Sequence, residues 1–253
     1  MFKLSKIALV ACAGAATAVS AAQAADMPQP VPEIVVRGWY LRGDIGYSNQ
    51  HVDELDNALY DSYDSVDNIY KDFDGAPFFS AGIGYRWNHW FRTDITGEYR
   101  SKSDFDGLDI AHQGVFPPEI PDNYTAKKSE WVALLNGYLD IGTWHGITPF
   151  VGAGVGAANI KISDFTDVGV NVDSVAFGDN HDEWNFAWAA YAGLAFDVTD
   201  AFTVELAYRF LDLGDAQSGD LVGFDGTNNI DNPMKFKDIT SHDLKLGVRY
   251  TFW

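Results

Sequence analysis

Cysteine is almost missing from this 253-residue sequence, with Cys12 the only one. It lies in an N-terminal stretch expected to be removed, so the mature chain is predicted to have no disulfide, no thiolate metal site and no cysteine nucleophile. Long apolar runs are also missing. Ile7 to Ala22 is small and alanine-rich, and no other stretch approaches the roughly 18 to 20 apolar residues of a membrane helix. Basic residues are scarce, 17 against 36 acidic ones, for a net charge of −19. Such a chain repels phosphate backbones, which argues against nucleic acid as a partner.

What stands at the N-terminus is Lys3 and Lys6, the apolar run and the tripeptide Ala22-Gln23-Ala24. This is the pattern of a secretory signal peptide over residues 1–24, cleaved after Ala24. The apolar run before Cys12, Ile7 to Ala11, is too short for the signal core of a lipoprotein. Losing Lys3 and Lys6 takes 17 bases to 15 and the net charge from −19 to −21. Residues 25–38 are then expected to be a periplasmic segment and 39–253 a single all-β domain.

Eight segments alternate with period two, which puts every second side chain on one face of a strand. They are Trp39 to Ser48, Phe78 to Asn88, Phe91 to Arg100, Glu130 to Ile141, Thr148 to Ala158, Asn185 to Val198, Phe202 to Leu211 and His242 to Trp253. Between them, short turns (Asn88 to Trp90, Gly142 to Gly146, Thr199 to Ala201) alternate with long connections (49–77, 101–129, 159–184, 212–238). Tight turns on one rim and long loops on the other predict an eight-stranded antiparallel up-and-down transmembrane β-barrel, with periplasmic termini and four long extracellular loops.

Charge decides which face points inward. The polar face carries Arg42, Arg86, Arg92, Arg100, Arg209, Lys245 and Arg249 against Asp44, Asp94, Glu98, Glu130, Asp140, Asp197, Glu205 and Asp243. Buried charges cost several kcal/mol each unless paired, so this near-balance suits a filled, ion-paired interior. The negative excess falls in the long connections. Residues 49–77 hold eight acids against Lys71. Solvation accounts for such acids, although a divalent-cation bridge to lipopolysaccharide phosphates is an alternative. On the other face, aromatics fall at both strand ends: Trp39, Trp87, Phe91, Phe196, Phe202 and Phe252 toward the turns, Tyr47, Phe79, Tyr99, Trp131, Phe186 and Phe210 toward the loops. Two aromatic girdles predict a lipid-facing wall, where a soluble barrel would put its apolar face inside.

The last strand, Lys245-Leu246-Gly247-Val248-Arg249-Tyr250-Thr251-Phe252, matches the polar-x-Gly-x-x-aromatic-x-apolar signal read by the barrel-assembly machinery, with Lys245, Gly247, Tyr250 and Phe252 at its key positions and Trp253 following. Together with Gly38 to Tyr47, Thr148 to Gly156 and Val204 to Phe210, it resembles the small porin-like surface proteins of alphaproteobacteria, whose architecture is that of the OmpA-like and opacity-type barrels. The resemblance implies an abundant outer-membrane surface antigen, some relatives being adhesins or haemin binders, and no peptidoglycan-binding domain.

Function is therefore expected to be structural and surface-directed, without catalysis or cofactor. The expected partners are outer-membrane lipid and lipopolysaccharide, the assembly machinery, and a host or small-molecule ligand at the loops. Three alternatives stay open. A narrow ion path could run past Arg42, Arg92 or Glu98. Haemin could be captured by His51, His112 and His181, with Tyr60, Phe116 and Trp184 nearby. A lipid A-modifying enzyme would need a Ser and His near the outer leaflet, but Ser241 and His242 are adjacent on a strand and must point to opposite faces.

Overall fold

The computed structural model describes residues 38–114, 119–228 and 230–252. The signal-peptide and periplasmic expectations, Phe116 and Trp253 lie outside the described residues. Eight long strands are formed: β1 (Gly38–His51), β2 (Ser65–Arg86), β3 (Phe91–His112), β4 (Glu119–Asp140), β5 (Ile147–Gly169), β6 (His181–Asp197), β7 (Phe202–Gln217) and β8 (Lys235–Phe252). Each pairs antiparallel with the next, and β8 returns to β1 with Trp39 opposite Phe252 and His51 opposite Thr240. Closure leaves no edge among the eight. Short strands at Glu54–Asp56, Val175–Gly178 and Leu221–Gly223 add to the loop-side rim.

Local chemistry sets the tight turns. Asn88 Oδ1 accepts the backbone N–H groups of Trp90 (2.9 Å) and Phe91 (2.8 Å), an Asx turn that reverses the chain between β2 and β3. Gly146, at φ 80°, reverses it between β4 and β5.

Over the membrane-level stretch, alternation follows the charge argument. Arg42, Arg92, Asp94, Glu98, Arg100 and Arg209 are buried inside, while Leu41, Ile45, Ile95, Leu135, Leu206 and Leu246 are exposed outside. The girdles form as contacts across strands: Trp39 packs edge-on to Tyr85 at 5.3 Å near the turns, and Tyr99 meets Trp131 at 4.8 Å near the loops. Glycine on the inner wall makes room for the filling. A Cβ on Gly247 would stand 2.3 Å from Asp44 Oδ1, and one on Gly154 2.2 Å from Asn136 Oδ1.

The long connections differ from their expected loop form. The strands run on through them, so that β2, β3 and β4 reach 22 residues each, about twice what a tilted strand needs to cross the hydrocarbon. The reason the alternation seemed to stop is a ring of β-bulges, each adding a residue and reversing the in-out phase beyond it. On β3, Ser101 and Lys102 oppose only Ser129, since Arg100 pairs with Glu130 and Ser103 with Lys128. Inward positions are even-numbered up to Arg100 and odd-numbered from Ser103, and Lys102, Asp104 and Asp106 turn outward. Similar extra residues occur on β2 between Phe73 and Ala76, on β5 at Asp164 (φ 54°), and on β8 between Phe236 and Ile239.

Candidate functional site

Each bulge has a phenylalanine beyond it. Phe73, Phe105, Phe165 and Phe236 would all share the lipid-side phase of their strands without the extra residue, and with it all four point inward and are buried. Their rings meet: Phe105 lies 4.9 Å from both Phe73 and Phe236, and Phe165 lies 6.3 Å from Phe236. Leu55, Leu213, Met234 and Ile239 pack into the same cluster. An apolar filling therefore closes the extracellular half of the barrel. The periodicity was legible as an inverted pattern, with Lys102, Asp104 and Asp106 on one side and Phe105 on the other, but only once the phase is allowed to slip.

Below it lies the charged filling. Seven buried bases face seven buried acids among the described residues, and an eighth buried acid, Asp109, stands apart near the mouth. Nearest the turns, Arg92 pairs with Asp140 (3.2 Å) and Arg249 with Glu205 (2.5 Å). Arg92 also stands 3.2 Å from Glu205, off hydrogen-bond alignment, and its guanidinium lies 4.2 Å and 4.8 Å from the ring centres of Tyr138 and Phe150. Arg86 is only partly inside, 3.8 Å from Asp140.

In the middle, Arg42 bridges Asp44 (2.7 Å), Asp94 (2.8 Å) and Glu205 (3.3 Å). Tyr40 donates to Asp94 at 3.0 Å, Ser80 to Asp44 at 2.7 Å, and Lys245 comes within 3.6 Å of Asp44. Toward the loops, Arg100 contacts Glu98 (3.0 Å), Glu130 (2.7 Å) and Asp243 (2.9 Å), while Arg209 contacts Glu98 (2.6 Å) and Asp243 (2.5 Å). The Phe78 ring lies between these two guanidinium groups, at 5.1 and 5.0 Å.

Two corrections follow for the interior inventory. Asp197, placed inward by parity, is exposed beside the β6–β7 turn, where Thr203 donates to it at 2.7 Å. Lys128, absent from the sequence inventory, is fully buried on Glu130 and lies 4.1 Å from the Phe73 ring centre. It sits just beyond the segment where alternation was read. Of the assembly-signal residues, Lys245 and Gly247 face inward, and Tyr250 and Phe252 face the lipid side.

The three loop histidines each have a separate partner: Asp72 for His51, Asp67 for His112 and Gln217 for His181, all at 3.2 Å. No cluster of His, Cys, Asp and Glu among the described residues is arranged to hold a metal. Ser241 is buried against Arg100 and Asp243, whereas His242 is outside, 2.5 Å from the Tyr208 hydroxyl.

Above the apolar filling is the mouth. A 3-10 turn, Ala58–Ser62, capped by Asn57 whose side chain accepts from the Leu59 N–H at 2.8 Å, places Tyr60 over the opening. Tyr60 and Tyr124 both donate to Asp109 Oδ2, at 2.5 and 2.8 Å. Asp122, directly across the β3–β4 ladder from Asp109, and Asp167, across from Tyr124, complete a group of three inner-wall carboxylates. Burial and mutual repulsion raise their proton affinity: Asp122 is pushed up to about 6 and Asp167 to about 7, and burial also raises Asp109.

The profile of the outer membrane protein beta-barrel domain family matches residues 8–252. An uncharacterized protein of Brucella melitensis is 32% identical over 97% of this chain and 98% of its own length. Outer membrane protein PagN of Salmonella typhimurium is 31% identical over 85% of this chain and 90% of its own. The outer membrane protein OprG of Pseudomonas aeruginosa superposes with a TM-score of 0.48 at 13% identity, covering 85% of this chain and 96% of that one. The chain thus belongs to the outer membrane protein beta-barrel domain family and is a protein of the bacterial outer membrane.

Proposed function

We propose that this protein is a closed barrel whose role is structural and surface-directed: it anchors an acidic, strand-built extracellular rim in the outer membrane and conducts nothing through its centre. The observation that carries this reading is the double filling, an ion-paired layer at membrane level and a phenylalanine layer above it. An eight-stranded barrel has an interior just wide enough for side chains, and here charged and aromatic groups occupy it. We assign it no reaction, since Ser241 and His242 are engaged separately on opposite faces.

The same reading covers biogenesis. Residues 1–24 are removed as a signal peptide, so the mature chain starts at Ala25, and Lys245, Gly247, Tyr250 and Phe252 form the segment read by the assembly machinery. Purified, refolded protein in planar bilayers is expected to give no discrete conductance steps. Steps that vanish on changing Arg42, Arg92 or Glu98 would replace closure by a narrow channel. On intact cells, a membrane-impermeant amine reagent should label Lys102 and Lys127, which face outward on the rim; labelling only after lysis would invert the orientation.

A further inference from the structure

The mouth differs from the rest of the interior in one respect. Among the described residues, every buried carboxylate at membrane level has a basic partner, but Asp109, Asp122 and Asp167 have none, and no described Lys, Arg or His lines the space they face. Asp109 and Asp122 stand directly opposite each other across a ladder, where like charges destabilise the sheet. Asp109 is only 1% exposed, and while Oδ2 takes both phenols, its Oδ1 is buried without any hydrogen-bond partner.

Asp109 belongs to the wall of a small cavity of about 40 Å³, lined also by Tyr60, Tyr63, Asp122 and Asp167. The volume matches one ammonium group, since a water in the liquid takes about 30 Å³. Tyr63, Asp122, Asp167 and Leu59 also line a wider vestibule of about 510 Å³ that opens outward and has Ile120, Val175 and Phe224 in its wall. Its size is that of a small-molecule site. Anionic floor, aromatic collar and apolar wall together describe one ligand chemistry.

We propose that the extracellular mouth is a binding site for a small organic ammonium cation with an apolar body, its N–H groups held by Asp109, Asp122 and Asp167 and its body lying along the vestibule wall. The cation relieves a charge arrangement that the fold otherwise leaves uncompensated. Tyrosine rings around the small cavity add cation–π attraction. The inference rests on the closed-barrel reading, because the phenylalanine layer gives the vestibule its floor.

Protonation competes with the cation. The titratable groups facing the site are Asp109 from β3, Asp122 and Tyr124 from β4, Asp167 from β5, Tyr60 and Tyr63 from the β1–β2 connection, and Asp173 and Asp225 at the vestibule rim. With Asp122 near 6 and Asp167 near 7, these two carboxylates are mostly ionised only above about pH 7, so affinity rises from pH 5 to pH 8 while the amine keeps its charge.

The test is calorimetric titration of the refolded full barrel in nanodiscs with 2-phenylethylammonium chloride at pH 8. Saturable binding is expected, weaker by about 10-fold or more for the neutral 2-phenylethanol, in the Asp122→Asn/Asp167→Asn double variant, and for the wild type at pH 5. The double variant must keep the mobility difference between unheated and boiled samples. A second variant, Val175→Trp, which fills the vestibule without touching the charges, should also lose affinity. Equal binding of the alcohol or by the folded double variant, or no saturation by about 10 mM, overturns the site. Displacement of the amine by one equivalent of calcium overturns the ligand class. A bilayer conductance blocked by the amine would reject closure while leaving binding intact, whereas a silent barrel that binds no amine rejects this site alone.

Discussion

Arg100 touches three carboxylates, Glu98, Glu130 and Asp243, and donates to Ser241 at 2.7 Å. Removing it takes one base from three buried carboxylates, leaving Glu98 and Asp243 to share Arg209 and Glu130 to rely on Lys128 alone, and an excess of buried negative charge of this kind typically costs about 3 to 5 kcal/mol. Lys245 has a looser tie, 3.6 Å from Asp44, and Asp44 keeps Arg42 and Ser80 when it is lost. Arg100→Met should therefore destabilise the folded barrel by about 3 kcal/mol and Lys245→Met by about 1 kcal/mol or less. Guanidinium unfolding in lipid vesicles, followed by tryptophan fluorescence, measures both. Equal losses would mean that the network acts as one undivided charge balance and not through these particular contacts. The sequence made most of these residues legible because their chemistry is extreme: an arginine in the middle of a lipid-facing strand has only one tolerable direction. Lys128 escaped because it lies past the girdle, where a lysine is equally at home in water. Asp197 was misplaced because parity says nothing about where a strand leaves the membrane.

At the scale of the strand, the turn-side ends were legible to within a residue or two, from Phe91, Phe202 and the β8 terminus, because short turns and an aromatic belt fix them. The loop-side ends were not. Strands read as Phe91 to Arg100 and Glu130 to Ile141 extend to His112 and begin at Glu119, and the obstacle is the phase slip at each bulge. A period-two pattern that inverts after one inserted residue looks locally like the end of a strand. This makes the bulge on β3 a device with a measurable effect. Inserting one alanine between Ser129 and Glu130 of β4 gives Ser101 and Lys102 a partner each, which should restore the straight ladder and turn Phe105 outward and Asp104 inward. The membrane-level strands should still insert, giving the mobility shift on boiling, while the extracellular half loses its filling. Trypsin added to intact cells should then cut within residues 103–128, a segment whose strand pairing is expected to protect it in the parent. Continued resistance would show that the ladder re-forms its bulge elsewhere and that the two-against-one arrangement at Ser129 is not what sets the phase.

For the whole molecule, the barrel is plugged twice by unlike materials, and this shapes what any opening requires. The ion-paired layer excludes a path because its guanidinium and carboxylate groups are mutually locked. The phenylalanine layer excludes water because it is dry and offers no polar partner. Neither layer depends on the other for closure. Phe105→Ala with Phe236→Ala should cost several kcal/mol, since each truncation leaves a cavity worth about 3 to 5 kcal/mol at most, yet bilayers should stay silent because Arg100, Arg209 and their carboxylates remain. Arg209→Ala with Glu98→Ala keeps the charge balance and opens space at membrane level, and it too should stay silent beneath intact rings. Only the four substitutions together thin both fillings, leaving the Arg42 and Arg92 levels as the last constriction, and discrete conductance steps are expected from that variant alone. Steps from either pair by itself would show that one filling is a brace and the other the gate.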